Sequence, residues 1–173
     1  MVADPTIERI DKFVNNLVKF KNKEYESDNA QLQKRFYNGL IGEAAIEILI
    51  NRQFINWTVG ESRYYNKADM LPLGFDMGIK SVEYGKFPVI HKHPKRPEII
   101  NFITDYNKVL VCGVASIYTM KLFQNDDYIL SPQLRKKGTK TCFYGFSQLF
   151  PLKDYKTLDI AYYSDMFMQK IAM

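Results

Sequence analysis

Apolar residues recur at helical spacing from the start of the chain. Ile7, Ile10, Phe13, Val14, Leu17 and Val18 follow Asp4-Pro5, whose acid suits a helix N-cap and whose proline suits the first helical position. They predict an amphipathic helix to about Phe20. The polar stretch 21–29 breaks the pattern, and Asp28 or Asn29 can cap a second helix with apolar positions Leu32, Phe36, Leu40, Ile41, Ala44, Ala45, Ile48 and Leu49. From Phe54 onward the period changes to that of strands. Phe54, Ile55, Trp57 and Val59 read as one strand. After a Tyr-rich link (61–70) and the turn-like Leu71-Pro72-Leu73-Gly74, residues 75–85 alternate strictly. Phe75, Met77 and Ile79 share one face of this second strand, and Asp76, Gly78, Lys80 and Val82 the other.

A third apolar piece, Phe87 to Ile90, precedes His91-Lys92-His93-Pro94-Lys95-Arg96-Pro97, whose prolines remove ladder donors and predict an exposed basic loop. Ile99 to Phe102 fits a helix or a strand. The continuous apolar run 108–116 predicts a strand buried on both faces and central to a sheet. Tyr118–Phe123, Tyr128–Leu130 and Thr141–Phe146 read as further short strands, and 158–172 fits either type. The expected architecture is a single α/β (α+β) domain over 1–173, with two N-terminal helices and helices flanking a mixed sheet.

Composition narrows the function classes. Hydrophobic residues make up 46 % and charged residues 25 %, which excludes disordered and fibrous architectures. No apolar run nears the roughly 18 residues of a membrane helix, and the acidic N-terminus does not suit a signal peptide, so a cytoplasmic protein is expected. Cys112 and Cys142 are far apart and read as buried thiols. A net charge of +5 suits an anionic partner, because lysine and arginine release condensed counterions from phosphates. No phosphate-binding GxxxxGK[ST] loop, GxGxxG or GxSxG occurs, so nucleotide hydrolysis, dinucleotide redox and serine-hydrolase chemistry lack support.

The chemically informative arrangement is a helix carrying Glu43 followed by Asp69, Asp76 and Lys80. Phosphodiester cleavage with Mg²⁺ requires carboxylate oxygens for a hard ion and a cation beside the attacking water or the phosphate. Gly39, Gly42, Ala44 and Ala45 would let this helix lie close against a sheet.

The segment Gly39-Leu40-Ile41-Gly42-Glu43-Ala44-Ala45 resembles the first core helix of the PD-(D/E)xK nucleases, where a Glu is a frequent metal ligand. Ala68-Asp69 resembles their Pro-Asp element, and Gly78-Ile79-Lys80-Ser81 their (D/E)xK strand, with Gly78 in place of the second acid. The resemblance spans roughly residues 30–115 and implies a restriction-endonuclease-like fold. It implies a Mg²⁺- or Mn²⁺-dependent deoxyribonuclease of restriction or phage type, with Glu43 and Asp76 on the metal, Asp69 assisting and Lys80 catalytic. It also implies DNA as partner and a homodimer, as in many relatives.

Two assignments follow from Gly78. Either Asp69 is the strand acid and Asp76 auxiliary, or Asp76 is the principal ligand; the sequence pattern favours Asp76, which lies within the alternating segment. Residues i and i+4 of a strand are about 13 Å apart, so Asp76 cannot stand in for an acid at 78. Gly78 also keeps open a catalytically inactive nucleic-acid-binding or inhibitor protein on the same fold. Other readings are a surface pair for Asp76 and Lys80 and a solvated helix face for Glu43 and Glu47. Lys92, Lys95 and Arg96 form either a phosphate-contacting loop or a solvated turn. His91 and His93 make a weak metal pair. Tyr64-Tyr65 and Phe143-Tyr144-Gly145-Phe146 are core or base-stacking aromatics.

Overall fold

A computed structural model describes residues 1–21, 29–59 and 67–171. Helix α1 (Asp4–Lys21) begins where proline permits it, with Asp4 in the first turn rather than at the cap and the Ala3 carbonyl accepting from Ile7 N–H. Its six expected apolar positions are all buried. They pack on α2 (Asn29–Ile50) through Leu40, Ile41 and Ala44. Of the expected α2 positions, Ile48 is instead exposed, and Ile46 and Ile50 go inward. The Asp28 cap and Tyr64-Tyr65 lie outside the described residues.

The expected strand at 54–59 does not form. Glu47, one turn back on α2, accepts from Phe54 N–H at 2.6 Å and Ile55 N–H at 2.8 Å, taking the donors a ladder would use. Phe54 and Trp57 then anchor in separate apolar clusters.

Two three-stranded sheets follow. The first is ordered β1 (Gly78–Glu83), β3 (Glu98–Asp105), β4 (Lys108–Ala115), with β1 parallel to β3 and β4 antiparallel to it. The second is ordered β2 (Val89–His91), β6 (Lys140–Phe143), β5 (Gln124–Asn125), all antiparallel. The run 108–116 is therefore an edge strand, not the central one: Leu110 is exposed, and Val114 is bridged to Phe150. The central place goes to β3, whose Ile99, Ile100 and Asn101 are fully buried.

Ile79 and Ile99 face a core built with Ile46 and Ile50 of α2 and Leu158 and Ala161 of α5 (Tyr155–Ile171). Ile100, on the opposite face of the first sheet, packs on Ile90 and Phe143 of the second. The first sheet is thus a middle layer between helices and the second sheet.

Several short apolar runs changed type. Tyr118–Phe123 lies mostly in a helix, α3 (Ile117–Leu122), because Ser116 accepts from Thr119 N–H at 2.9 Å and caps it. Residues 126–128 form a 3-10 turn rather than a strand, the short helix α4 (Pro132–Lys137) follows, and 158–171 is helical. Cys142 is buried as expected, and Cys112 only half-buried. The mixed α/β class and the two opening helices are as expected. No helix among the described residues is long and apolar enough to cross a membrane.

Candidate functional site

Gly42 is where helix and sheet come closest. A β-carbon there would stand 2.7 Å from Ser81 Cβ, and the Gly42 carbonyl accepts from the buried Asn101 amide at 3.4 Å. Only glycine lets α2 lie this near β1 and β3. Gly39, by contrast, has nothing within 4 Å of such an atom. The close approach carries Glu43, the next residue, down beside the start of β1.

As the edge strand, β1 directs alternate N–H groups away from β3. Gly78 N–H is bound by the Pro97 carbonyl, whereas Ile79 N–H is bound by Asp69 Oδ2 at 2.6 Å. Met70 N–H to the Met77 carbonyl holds the same segment against the strand. Asp69 is thereby fixed beside Glu43, and both line a cleft of about 540 Å³ together with Arg35, Asn56 and Lys67.

On the far face of β1, the parallel register sets Gly78 opposite Glu98 and Lys80 opposite Ile100. Glu98 fills the space that a side chain at 78 would need: a β-carbon on Gly78 would be 2.9 Å from Glu98 Cδ. The Glu98 carboxylate is buried, with Oε2 3.5 Å from Lys80 Nζ, and that oxygen has no hydrogen-bond donor among the described residues. A carboxylate from the neighbouring strand thus stands against position 78 and beside Lys80.

The electrostatics tie these groups together. Burial, the Asp69 charge and the Glu47 charge push the Glu43 carboxyl up to about 8. Burial raises Asp69, opposed by the bond from Ile79 N–H and by the charges of Lys80 and Arg96. Burial raises Glu98 too, with Lys80 opposing and Asp69 reinforcing. Three carboxyl groups held against their preferred ionisation cost the fold stability, a pattern concentrated at functional sites.

The remaining expected residues lie elsewhere. Asp76 precedes β1 rather than lying in it, is exposed, and pairs with Arg96 at 3.1 Å, so it is not brought to Glu43. Lys92 pairs with Asp126, and Lys95 is exposed. The loop is less open than expected, since Pro94 and Pro97 are buried. His91 and His93 are exposed, and His91 Nε2 is 2.6 Å from Lys140 Nζ. Phe143 is core, whereas Tyr144 is exposed.

Glu98 was missed because it lies twenty residues beyond Gly78. The one signal would have been an acid opening an apolar strand, next to a glycine where an acid is expected.

Among the described residues no group of three or more His, Cys, Asp or Glu side chains stands close enough to hold a metal ion as arranged. Asp69 and Glu98 are both hard oxygen donors and share Lys80 and Arg96 as neighbouring cations. No protein-family model matches the chain, and neither the curated proteins nor the solved structures contain a match to it.

Proposed function

We propose that this chain is a Mg²⁺- or Mn²⁺-dependent endonuclease of the PD-(D/E)xK type acting on DNA, working with Asp69, Glu98 and Lys80, with Glu43 in support. The observation that carries the reading is Glu98 in the volume vacated at Gly78, against Lys80. It restores the acid, acid and lysine set that the sequence motif lacks.

The carboxylate oxygens of Asp69 and Glu98 suit a hard divalent ion, and Glu98 Oε2 is buried with no polar contact among the described residues closer than its 3.5 Å ion pair to Lys80. When bound, such an ion polarises the phosphoryl oxygen and lowers the pKa of a coordinated water. Lys80, half-exposed at its end and flanked by Glu98, holds a positive charge where negative charge develops on the phosphate. Asp69 is positioned by Ile79 N–H, so it needs little reorganisation. Glu43, whose carboxyl burial and the Asp69 and Glu47 charges push up to about 8, would supply a further oxygen donor if a bound cation displaced its proton. A homodimer would place two such sites for cutting both strands.

The test is cleavage of duplex DNA with Mg²⁺ or Mn²⁺, abolished by EDTA. Lys80→Ala is expected to lose about 10² to 10³ in rate with the fold intact, and Lys86→Ala, in the turn after β1, to cut at close to the parent rate. Cleavage that persists in chelator removes this mechanism. Tight DNA binding without cleavage under any divalent ion selects the second reading, an inactive nucleic-acid-binding or inhibitor protein, which the lack of a three-ligand group among the described residues favours.

A further inference from the structure

The second sheet faces the carboxylate site with cations. His91 and Lys140 are directly paired across β2 and β6, and their side chains meet at 2.6 Å, Lys140 Nζ donating to His91 Nε2. In this geometry the imidazole proton sits on Nδ1. Lys140 is near enough to feel both Lys80 and Glu98. Burial, then the charges of Lys140, Lys80, Arg96 and Lys95, hold the His91 imidazole below its ordinary range. Like charges gathered on this scale repel unless an anion lies among them. Glu98 is already engaged with Lys80, and Asp76 with Arg96. Lys140, held by His91, therefore presents its ammonium beside Lys80 for a further anion.

We propose that Lys140 and His91 form a phosphate-binding subsite next to Lys80, taking an internal phosphodiester of a nucleic-acid backbone. The subsite rests on the nuclease reading for its substrate and on its own geometry for its position. Phosphate oxygens accept from the Lys140 ammonium, and His91 Nε2, accepting from that ammonium at 2.6 Å across the strand pair, holds it in place without a ligand-induced change. Lys140 is a positioning residue: it sets where the strand lies relative to Asp69, Glu98 and Lys80.

The experiment uses Lys140→Met, which keeps the length and apolar stem of the side chain, and His91→Gln as a second variant should the first fail to fold. In EDTA, inorganic phosphate is expected to shift the His91 ring resonances of the parent, and the shift is expected to vanish in Lys140→Met. Either variant should bind a labelled duplex about tenfold more weakly at low salt. Lys140→Met should also flatten the slope of log affinity against log salt by about one, while His91→Gln, which removes no charge, leaves the slope near parental, and Lys19→Ala on the outer face of α1 changes neither affinity nor slope. Equal losses on 5′-phosphorylated and 5′-hydroxyl duplexes support an internal phosphodiester; a loss confined to the phosphorylated form overturns that placement.

Unmoved His91 resonances, or parental affinity and slope in Lys140→Met, overturn the subsite. A parent that binds through Lys140 but never cleaves keeps the subsite and sinks the nuclease. A parent that cleaves, with Lys140→Met unchanged in affinity and kcat/KM, does the reverse.

Discussion

Gly78 and Glu98 are register partners on parallel strands, and the carboxylate of one occupies the side-chain space of the other. An acid at position 78 and an acid at position 98 would compete for a single volume beside Lys80. Glu98→Ala is expected to lower cleavage about 10² to 10³ fold, as for other positioned catalytic groups. Gly78→Glu alone should also be inactive, because the new side chain collides with Glu98. The double variant Gly78→Glu with Glu98→Ala should recover at least tenfold over either single one, a non-additivity expected of residues in direct contact. Steady-state cleavage rates on one duplex decide it, and additive losses would separate Glu98 from the motif.

Asp69 and Asp76 divide by environment. Asp69→Asn keeps an oxygen for Ile79 N–H and so should preserve the fold, yet it removes a charge beside Lys80 and is expected to abolish cleavage and weaken Mg²⁺ binding. Asp76→Asn loses only an exposed pair with Arg96, of the kind that contributes about 0 to 1 kcal/mol, and should cut within a few-fold of the parent. Isothermal titration with Mg²⁺ alongside cleavage distinguishes the two; a dead Asp76→Asn would return the site to the assignment that the sequence favoured.

Glu43 makes the metal-free protein sensitive to pH. Its folded-state value of about 8 lies above the 4.5 of the free side chain, so from pH 4.5 to 8 the unfolded chain has released a proton that the folded one retains. Stability from this group is complete below pH 4.5 and is lost as pH rises through that window. Glu43→Gln should therefore flatten the fall of Tm between pH 5 and 8 in EDTA, each kcal/mol being worth about 2 to 4 °C at this size. Parallel Tm profiles for parent and variant would contradict the burial of the carboxyl.

Gly42 fixes the spacing between α2 and the sheet. Gly42→Ala forces its new methyl into Ser81 and should cost about 1 to 3 kcal/mol in chemical denaturation, the usual range for overpacking, despite alanine's better helix propensity. Adding Ser81→Gly should return part of the loss. A Gly42→Ala protein as stable as the parent would mean that the contact is not tight in solution.

The chain alone determined what depends on neighbours in sequence. Periodicity in 7–18 and 32–49 located two helices, the first amphipathic because burying an apolar stripe needs only local spacing, the second without one apolar stripe, so that Ile46 and Ile50 are buried and Ile48 is exposed. The same logic marked 75–83 as a piece whose odd positions face the core, and the Gly42-Glu43 step as a close contact bearing a carboxylate.

Tertiary structure decided what depends on strand pairing and competing donors. The run 54–59 has strand letters, but Glu47 takes its N–H groups. The run 108–115 has the letters of a central strand, yet a sheet's edge is set by which strands find partners, and β3 found two. Asp76 alternates correctly with Lys80, but the strand starts at Gly78 and leaves that acid to solvent and Arg96. Glu98 shows the limit most clearly. Its place beside Lys80 is fixed by a parallel register between strands twenty residues apart, and periodicity within one strand carries no information about the register of another.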